Sequence, residues 1–128
     1  MDAPSNDAVQ ADLEFWRDLA GGDNDSARGL LILYLRDTSA QISLIVSGLA
    51  ARNADQVGRA AHSCAGSSSA CGIETLAALF RRLEQQARGN RLDELSDTLP
   101  IIVETFGQVH ARLTRTIAAA SESIPERP

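Results

Sequence analysis

His62 is the side chain in this sequence that is best placed to do chemistry. In the run from Val57 to Gly72, the more buriable residues recur at steps of four and three, which is the pattern of one buried helix face. These residues are Val57, Ala61, Cys64, Ser68 and Cys71. His62 falls outside that face, so its imidazole is predicted to be exposed. A neutral imidazole is a good nucleophile near pH 7, because its unperturbed pKa is about 6.5, and could accept and pass on a phosphoryl group.

Gly66 lies one helical turn beyond His62 and strengthens this interpretation. A glycine inside a helix costs about 0.5–1 kcal/mol relative to alanine, which indicates a need for open space at that position. A missing side chain there would let a bulky group, or the surface of another protein, reach the ring nitrogens. We therefore expect a docking surface beside the histidine.

The run from His62 to Gly72 resembles the signature of histidine-containing phosphotransfer (HPt) domains. That signature has a histidine, usually a lysine three residues on, a glycine at four, small residues after it and a glycine at ten. The sequence keeps His62, Gly66, the small residues 67–70 and Gly72, but has Ala65 where the family usually has lysine. In the family this lysine helps to hold the phosphoryl group, so the resemblance raises the question of which cation replaces it.

The resemblance also implies roles for residues on the next helix. In the family, a Glu or Gln 22 residues beyond the histidine accepts a bond from its Nδ1, and Glu84 stands at that spacing. Glu84 is therefore expected to orient His62 and to leave Nε2 as the phosphoryl acceptor. Arg88 is the first candidate for balancing the phosphoryl charge, and Arg59 is the second. Glu84 could equally form an ordinary ion pair with Arg88 or Arg81, and that alternative stays open.

Five helices are predicted to position these residues. The apolar spacing predicts them over about residues 7–20, 27–51, 54–71, 73–88 and 92–119. Gly21-Gly22 and Gly89-Asn90 are predicted helix ends, and residues 23–26 and Asn53 offer N-caps. Pro100 is predicted to kink the last helix or to begin its second half.

The predicted fold class is all-α, because no strand alternation or hairpin turn appears. Short connections make consecutive helices antiparallel. The expected architecture is an antiparallel four-helix bundle with an additional short N-terminal helix, which is also the fold of the family that the motif resembles. We expect one domain over residues 1–128, ordered over about 7–119, with flexible ends at 1–6 and 120–128.

The charge and composition argue against several classes of partner. A formal net charge of −5 and a pI near 4.9 disfavour nucleic acid, which needs a basic face, and an anionic membrane surface. No run approaches the roughly 20 apolar residues of a membrane span, and the N-terminus lacks the basic start and apolar core of a signal peptide. We expect a soluble, cytoplasmic protein that is a monomer.

The cysteines are predicted to be free buried thiols. Cys64 and Cys71 are seven residues apart on one helix, so their Cα atoms are about 10.5 Å apart. That distance exceeds the roughly 7 Å limit for a disulfide. A metal site is also disfavoured, because only His62 and His110 could add ligands and the Glu-x-x-His pairs of metal-binding bundles do not occur.

The function that the resemblance implies is a phosphorelay intermediate without an ATP site or kinase activity of its own. A response-regulator receiver domain would dock over Ala65, Gly66 and Ser69, and would supply the aspartate and the Mg²⁺. A sensor or hybrid histidine kinase would stand upstream. The alternative is a helical interaction module that keeps the fold without phosphotransfer, since Ala65 replaces the lysine.

Overall fold

Four α-helices, joined by connections of three residues, form the described part of the chain. The computed structural model describes residues 21–122. The helices are α1 (Asn24–Ala50), α2 (Ala54–Ala70), α3 (Glu74–Arg88) and α4 (Leu92–Glu122). Each helix packs against the next, and α1 also packs against α4, so the four close into an antiparallel bundle. The predicted all-α bundle is confirmed, whereas the predicted N-terminal helix and the flexible residues 1–6 lie outside the described residues.

The three connections between helices share one backbone geometry. The second residue of each has a positive φ, which is 54° at Arg52, 77° at Gly72 and 57° at Asn90. The next residue then bonds back to the end of the preceding helix, as where the Asn53 N–H donates to the Gly48 carbonyl oxygen at 2.7 Å. This is the Schellman arrangement, which satisfies the last carbonyl groups of a helix while the chain reverses direction.

Arg52 is the costliest of these three residues, because glycine adopts a positive φ freely and asparagine tolerates it better than arginine does. We expect Arg52→Gly to raise the free energy of unfolding by about 0.5–1 kcal/mol, since Arg52 is exposed and glycine adopts this conformation freely. Urea denaturation followed by circular dichroism measures the change. Gly72→Ala is the matched control and should lower stability, whereas destabilisation by Arg52→Gly would contradict the prediction.

The core of the bundle consists of aliphatic side chains around one aromatic ring. On α3, Leu76, Phe80 and Leu83 recur at steps of four and three and are fully buried. Burial of each such side chain contributes about 1.5–3 kcal/mol. The predicted buried face of α2 is confirmed, except that Cys71 is only half-buried. The small residues Gly58, Ala60 and Ala65 are buried as well, so α2 is covered over a wider arc than its apolar stripe predicts.

A buried hydrogen bond fixes α1 against α2. The hydroxyl oxygens of Tyr34 and Ser68 are 2.7 Å apart, and both side chains are buried. Burial raises the pKa of Tyr34 to about 12, because the phenolate would be desolvated in the core. The bond anchors the buried side of α2, opposite the surface that carries His62.

The outer surface of α1 is unusually apolar. Residues Asp25–Ala50 are long and apolar enough to cross a membrane by length and composition, and an 18-residue window within them has a mean hydropathy of 1.3. Core helices of soluble proteins meet the same criterion. Leu31, Tyr34 and Ile45 of α1 are buried in the bundle. Several large apolar side chains remain exposed, namely Ile32, Leu33, Leu44 and Val46. The expectation of no membrane association therefore stays a prediction.

The last helix is continuous through Pro100, so no second half begins there, and the alternative of a kink at Pro100 stays a prediction. Pro100 and Ser96 are both exposed, so water can bond the Ser96 carbonyl oxygen that the proline leaves without its helical donor. The helix also continues to Glu122, beyond the predicted end near residue 119, while the flexibility of the C-terminal tail stays a prediction. The alanines at 118–120 have high helix propensity and so favour this extension.

Candidate functional site

Helix α2 presents His62 on the side away from the core. The Asn53 side chain caps the start of this helix and accepts a hydrogen bond from the Gln56 N–H at 3.1 Å. Val57, Ala61 and Cys64 are buried, which turns the intervening His62 outward. The His62 side chain is 71 % exposed, as predicted, and its ring is open to solvent.

Glu84 on α3 holds one nitrogen of the His62 ring. The His62 Nδ1 and the Glu84 Oε2 are 3.0 Å apart. The Glu84 side chain is only 15 % exposed, because it lies at the seam where α2 and α3 pack together. The predicted contact is present, and it leaves Nε2 as the other ring nitrogen available for chemistry.

The same carboxylate oxygen also accepts a hydrogen bond from Arg88 and forms an ion pair with it. The Arg88 Nε donates to the Glu84 Oε2 at 2.8 Å, and an Arg88 Nη is 2.7 Å from it. Partial burial acts to raise the pKa of Glu84, but the bonds from Arg88 and His62 outweigh it, so the pKa lies below its ordinary value. Glu84 is therefore ionised at neutral pH. The contact with His62 and the ordinary ion pair with Arg88, which the sequence left as alternatives, are present together.

Arg59 is directed to a carboxylate on its own helix. The Arg59 Nε lies 3.1 Å from the Asp55 Oδ2, and both side chains are largely exposed. Both arginines that were predicted to balance phosphoryl charge thus have carboxylate partners one turn away. Their part in charge balance stays a prediction.

An open groove of about 430 Å³ runs along α2 and α3 from His62. A Cβ added at Gly66 would meet no atom within 4 Å, which confirms the open space that this glycine predicts. Ala65 is only 5 % exposed, so it offers little surface to a partner. Gly66 is exposed and Ser69 is half-buried. Docking over these three residues stays a prediction, and Gly66 and Ser69 supply most of the surface for it.

Arg81 lines this groove together with His62, and sequence reasoning gave it no role in the site. Its Nη2 lies 3.7 Å from the Glu74 Oε1, and the Ser69 hydroxyl donates to the Glu74 Oε2 at 3.3 Å. The signal in the sequence is the spacing of Arg81 three residues before Glu84 on one helix face. The register of α2 against α3 is also needed to locate Arg81 relative to His62.

The two cysteines lie apart from the site chemistry. Both are free thiols, and burial raises the pKa to about 12 for Cys64 and to about 11 for Cys71. Protonated thiols of this kind are poor nucleophiles and poor metal ligands. Within residues 21–122, no group of three or more His, Cys, Asp or Glu side chains could hold a metal ion.

Comparison with known families identifies the arrangement. The Hpt domain family matches the chain over residues 29–122, which includes His62, Gly66 and Glu84. The chain belongs to the Hpt domain family. Hpt domains carry phosphoryl groups on a histidine in phosphorelays, together with receiver domains and kinases.

A solved structure shows the same Hpt fold. The crystal structure of histidine-containing phosphotransfer protein B (HptB) from Pseudomonas aeruginosa PAO1 superposes with a TM-score of 0.77 at 23 % sequence identity. The similarity covers 84 % of this chain and 94 % of that chain. No significant match was found among curated proteins.

Proposed function

We propose that the chain is a phosphorelay intermediate in which His62 accepts a phosphoryl group from the aspartate of a response-regulator receiver domain and passes it to another. The observation that carries the proposal is the exposed ring of His62, whose Nδ1 lies 3.0 Å from the Glu84 carboxylate. An ionised carboxylate only accepts hydrogen bonds, so it selects the tautomer with the proton on Nδ1. That tautomer has its lone pair on Nε2.

The transfer is a displacement at phosphorus. The Nε2 lone pair forms the N–P bond while the bond from phosphorus to the aspartyl oxygen breaks, and the aspartate leaves as a carboxylate. The Nδ1 proton stays on the ring, where the Glu84 carboxylate stabilises the positive charge that develops on the imidazole. The reverse step needs the same groups, since an imidazole with this charge leaves readily from phosphorus. Glu84 thus acts as a positioning and charge-stabilising residue in both directions.

The partner supplies the remaining groups in this proposal. Phosphoryl transfer depends on positioning and on neutralising charge around the transferred group, which Mg²⁺ commonly provides. The receiver domain would bring its aspartate and Mg²⁺ to His62 over the open surface at Gly66. A sensor or hybrid kinase would load the relay, and a cytoplasmic location would suit these partners.

The direct test is transfer from a radiolabelled receiver domain. The receiver is phosphorylated, mixed with the chain and Mg²⁺, and both are separated at intervals. The proposal expects label on this chain that is stable in alkali and lost in acid, as phosphohistidine is. Stable binding of the receiver without any transfer of label would support the interaction module without phosphotransfer instead.

Glu84→Ala is expected to slow transfer without abolishing it. The substitution removes one charge-assisted bond to His62, worth roughly 1.5–3 kcal/mol, so the rate should fall about tenfold to a hundredfold. Glu84→Gln should lose less of the rate than Glu84→Ala, because its amide oxygen still accepts from Nδ1 although it carries no charge. Initial rates of label transfer measure both variants.

Glu104→Ala is the matched control for Glu84→Ala, since Glu104 is exposed on α4 and lies outside the groove. It should leave the rate unchanged. Equal rates for Glu84→Ala and the wild type would show that Glu84 has no part in positioning the ring.

A further inference from the structure

A phosphoryl group on His62 creates a charge that the nearby residues have to accommodate. The group carries about −1.5 to −2 near pH 7, and it would lie beside Glu84, which is already ionised. The twelve basic residues of the chain are all arginines. Apart from histidine, any side-chain cation that this domain itself supplies is therefore a guanidinium, which can bind two phosphoryl oxygens at once.

Distances separate the three arginines around the site. Arg88 makes contacts of 2.8 and 2.7 Å with Glu84, and Arg59 lies 3.1 Å from Asp55. Arg81 is 3.7 Å from Glu74, which is beyond a good hydrogen bond. Arg81 is thus the most loosely held of the three, and it lines the groove that begins at His62.

The pairing of α2 with α3 places Arg81 opposite Ala65, which follows His62 by about one helical turn. His62 faces Glu84, and a Cβ built on Gly58 would lie 3.9 Å from the Arg88 Cγ. In this antiparallel pair, four residues back on α2 therefore correspond to four residues forward on α3. By the same register, three residues forward on α2 correspond to three residues back on α3, so Arg81 lies across from Ala65. Both residues line the groove. The methyl group of Ala65 leaves the guanidinium room to approach the histidine.

Glu74 has the properties of a temporary partner for Arg81. Its carboxylate is 65 % exposed and shares its second oxygen with the Ser69 hydroxyl. A single exposed carboxylate at 3.7 Å contributes little binding energy. A phosphoryl dianion carries more charge and offers three oxygens, so it competes effectively for the guanidinium.

We propose that Arg81 is the phosphoryl-binding cation of this domain, and that it exchanges its contact with Glu74 for one with the phosphoryl group on Nε2 of His62. This inference rests on the proposed function and adds to it a residue for phosphoryl binding. The family usually has a lysine at the position of Ala65 on α2. In this inference an arginine on α3 supplies that positive charge. Arg88 then serves to hold Glu84 against the ring.

The test uses phosphoramidate, a small phosphoryl donor, so that no receiver domain is needed. The intact chain is phosphorylated, the donor is removed, and the lifetime of phosphohistidine is followed by its ³¹P signal. Arg81→Gln should shorten the lifetime about tenfold, which corresponds to one lost charge-assisted bond. It should also raise the pH midpoint of the phosphoryl titration by about half a unit, because a nearby cation favours the dianion.

Arg82→Gln is the matched control, since Arg82 is the next residue on α3, is exposed and does not line the groove. It should change neither quantity, and Arg81→Lys should retain most of the wild-type lifetime. Equal lifetimes and midpoints for Arg81→Gln and Arg82→Gln would overturn the inference. A wild-type chain that takes no label from a receiver contradicts the proposed function instead, so the two failures are distinguishable.

Discussion

Replacing His62 with glutamine is expected to abolish phosphoryl acceptance and to leave the fold intact. Glutamine has no nucleophilic nitrogen, so the N–P bond cannot form. The His62 side chain is 71 % exposed, and Glu84 keeps its contacts with Arg88 in the variant. The free energy of unfolding should therefore change by no more than about 0.5 kcal/mol. Label transfer from a phosphorylated receiver domain and urea denaturation measure the two effects.

His110 provides the matched control for this experiment, because the chain has two histidines. His110 is exposed on α4, where its ring lies edge-on to Phe106 at a centroid distance of 5.8 Å. His110→Gln should be labelled like the wild type. Acid-labile label that persists in His62→Gln would show that another residue is the acceptor.

Gly66→Gln is expected to change stability and transfer in opposite directions. A Cβ at this position meets no atom within 4 Å, and glutamine has a higher helix propensity than glycine. The free energy of unfolding should rise by about 0.5–1 kcal/mol. The new side chain would fill the open space beside His62 and would displace a receiver that docks there. A displacement of about 1 Å can cost a hundredfold in rate, so transfer should fall by roughly a hundredfold or more.

Two comparisons separate docking from chemistry in this variant. Phosphoramidate is small enough to reach the ring past the glutamine, so it should still label Gly66→Gln. Gly107→Gln is the matched control, because Gly107 is a helical glycine in α4 with equally open space around it. It should gain stability without loss of transfer. A normal transfer rate in Gly66→Gln would show that the space is not used for docking.

The sequence predicts the helices and the display of His62 because both follow from local spacing. Apolar steps of three and four mark the buried face of α2, and His62 lies off that face. Asn53 was predicted as a cap and accepts the Gln56 N–H. These features depend on residues within one or two turns, where helical geometry fixes the relative positions of side chains.

Features that depend on how helices fit together were not predictable in the same way. Alanine and glycine carry little hydropathy signal, so the burial of Gly58 and Ala65 against a neighbouring helix does not appear in the apolar pattern. The place of Arg81 in the groove requires the register of α2 against α3. The contact of Glu84 with His62 was predicted through the family resemblance, since spacing along the chain does not determine a distance between two helices.

The burial of Tyr34 between α1 and α2 gives the bundle an internal optical indicator. Tyr34 is the chain's single tyrosine, and its pKa of about 12 in the folded state exceeds the value of about 10 for a solvated phenol. The contribution of this burial to stability is complete below pH 10 and is lost as the pH rises toward 12. Between those values only opened molecules form tyrosinate, whose absorbance then reports the separation of α1 from α2. Tyrosinate absorbance can thus report, without any added label, whether a mutation near His62 disturbs the packing of α1 against α2.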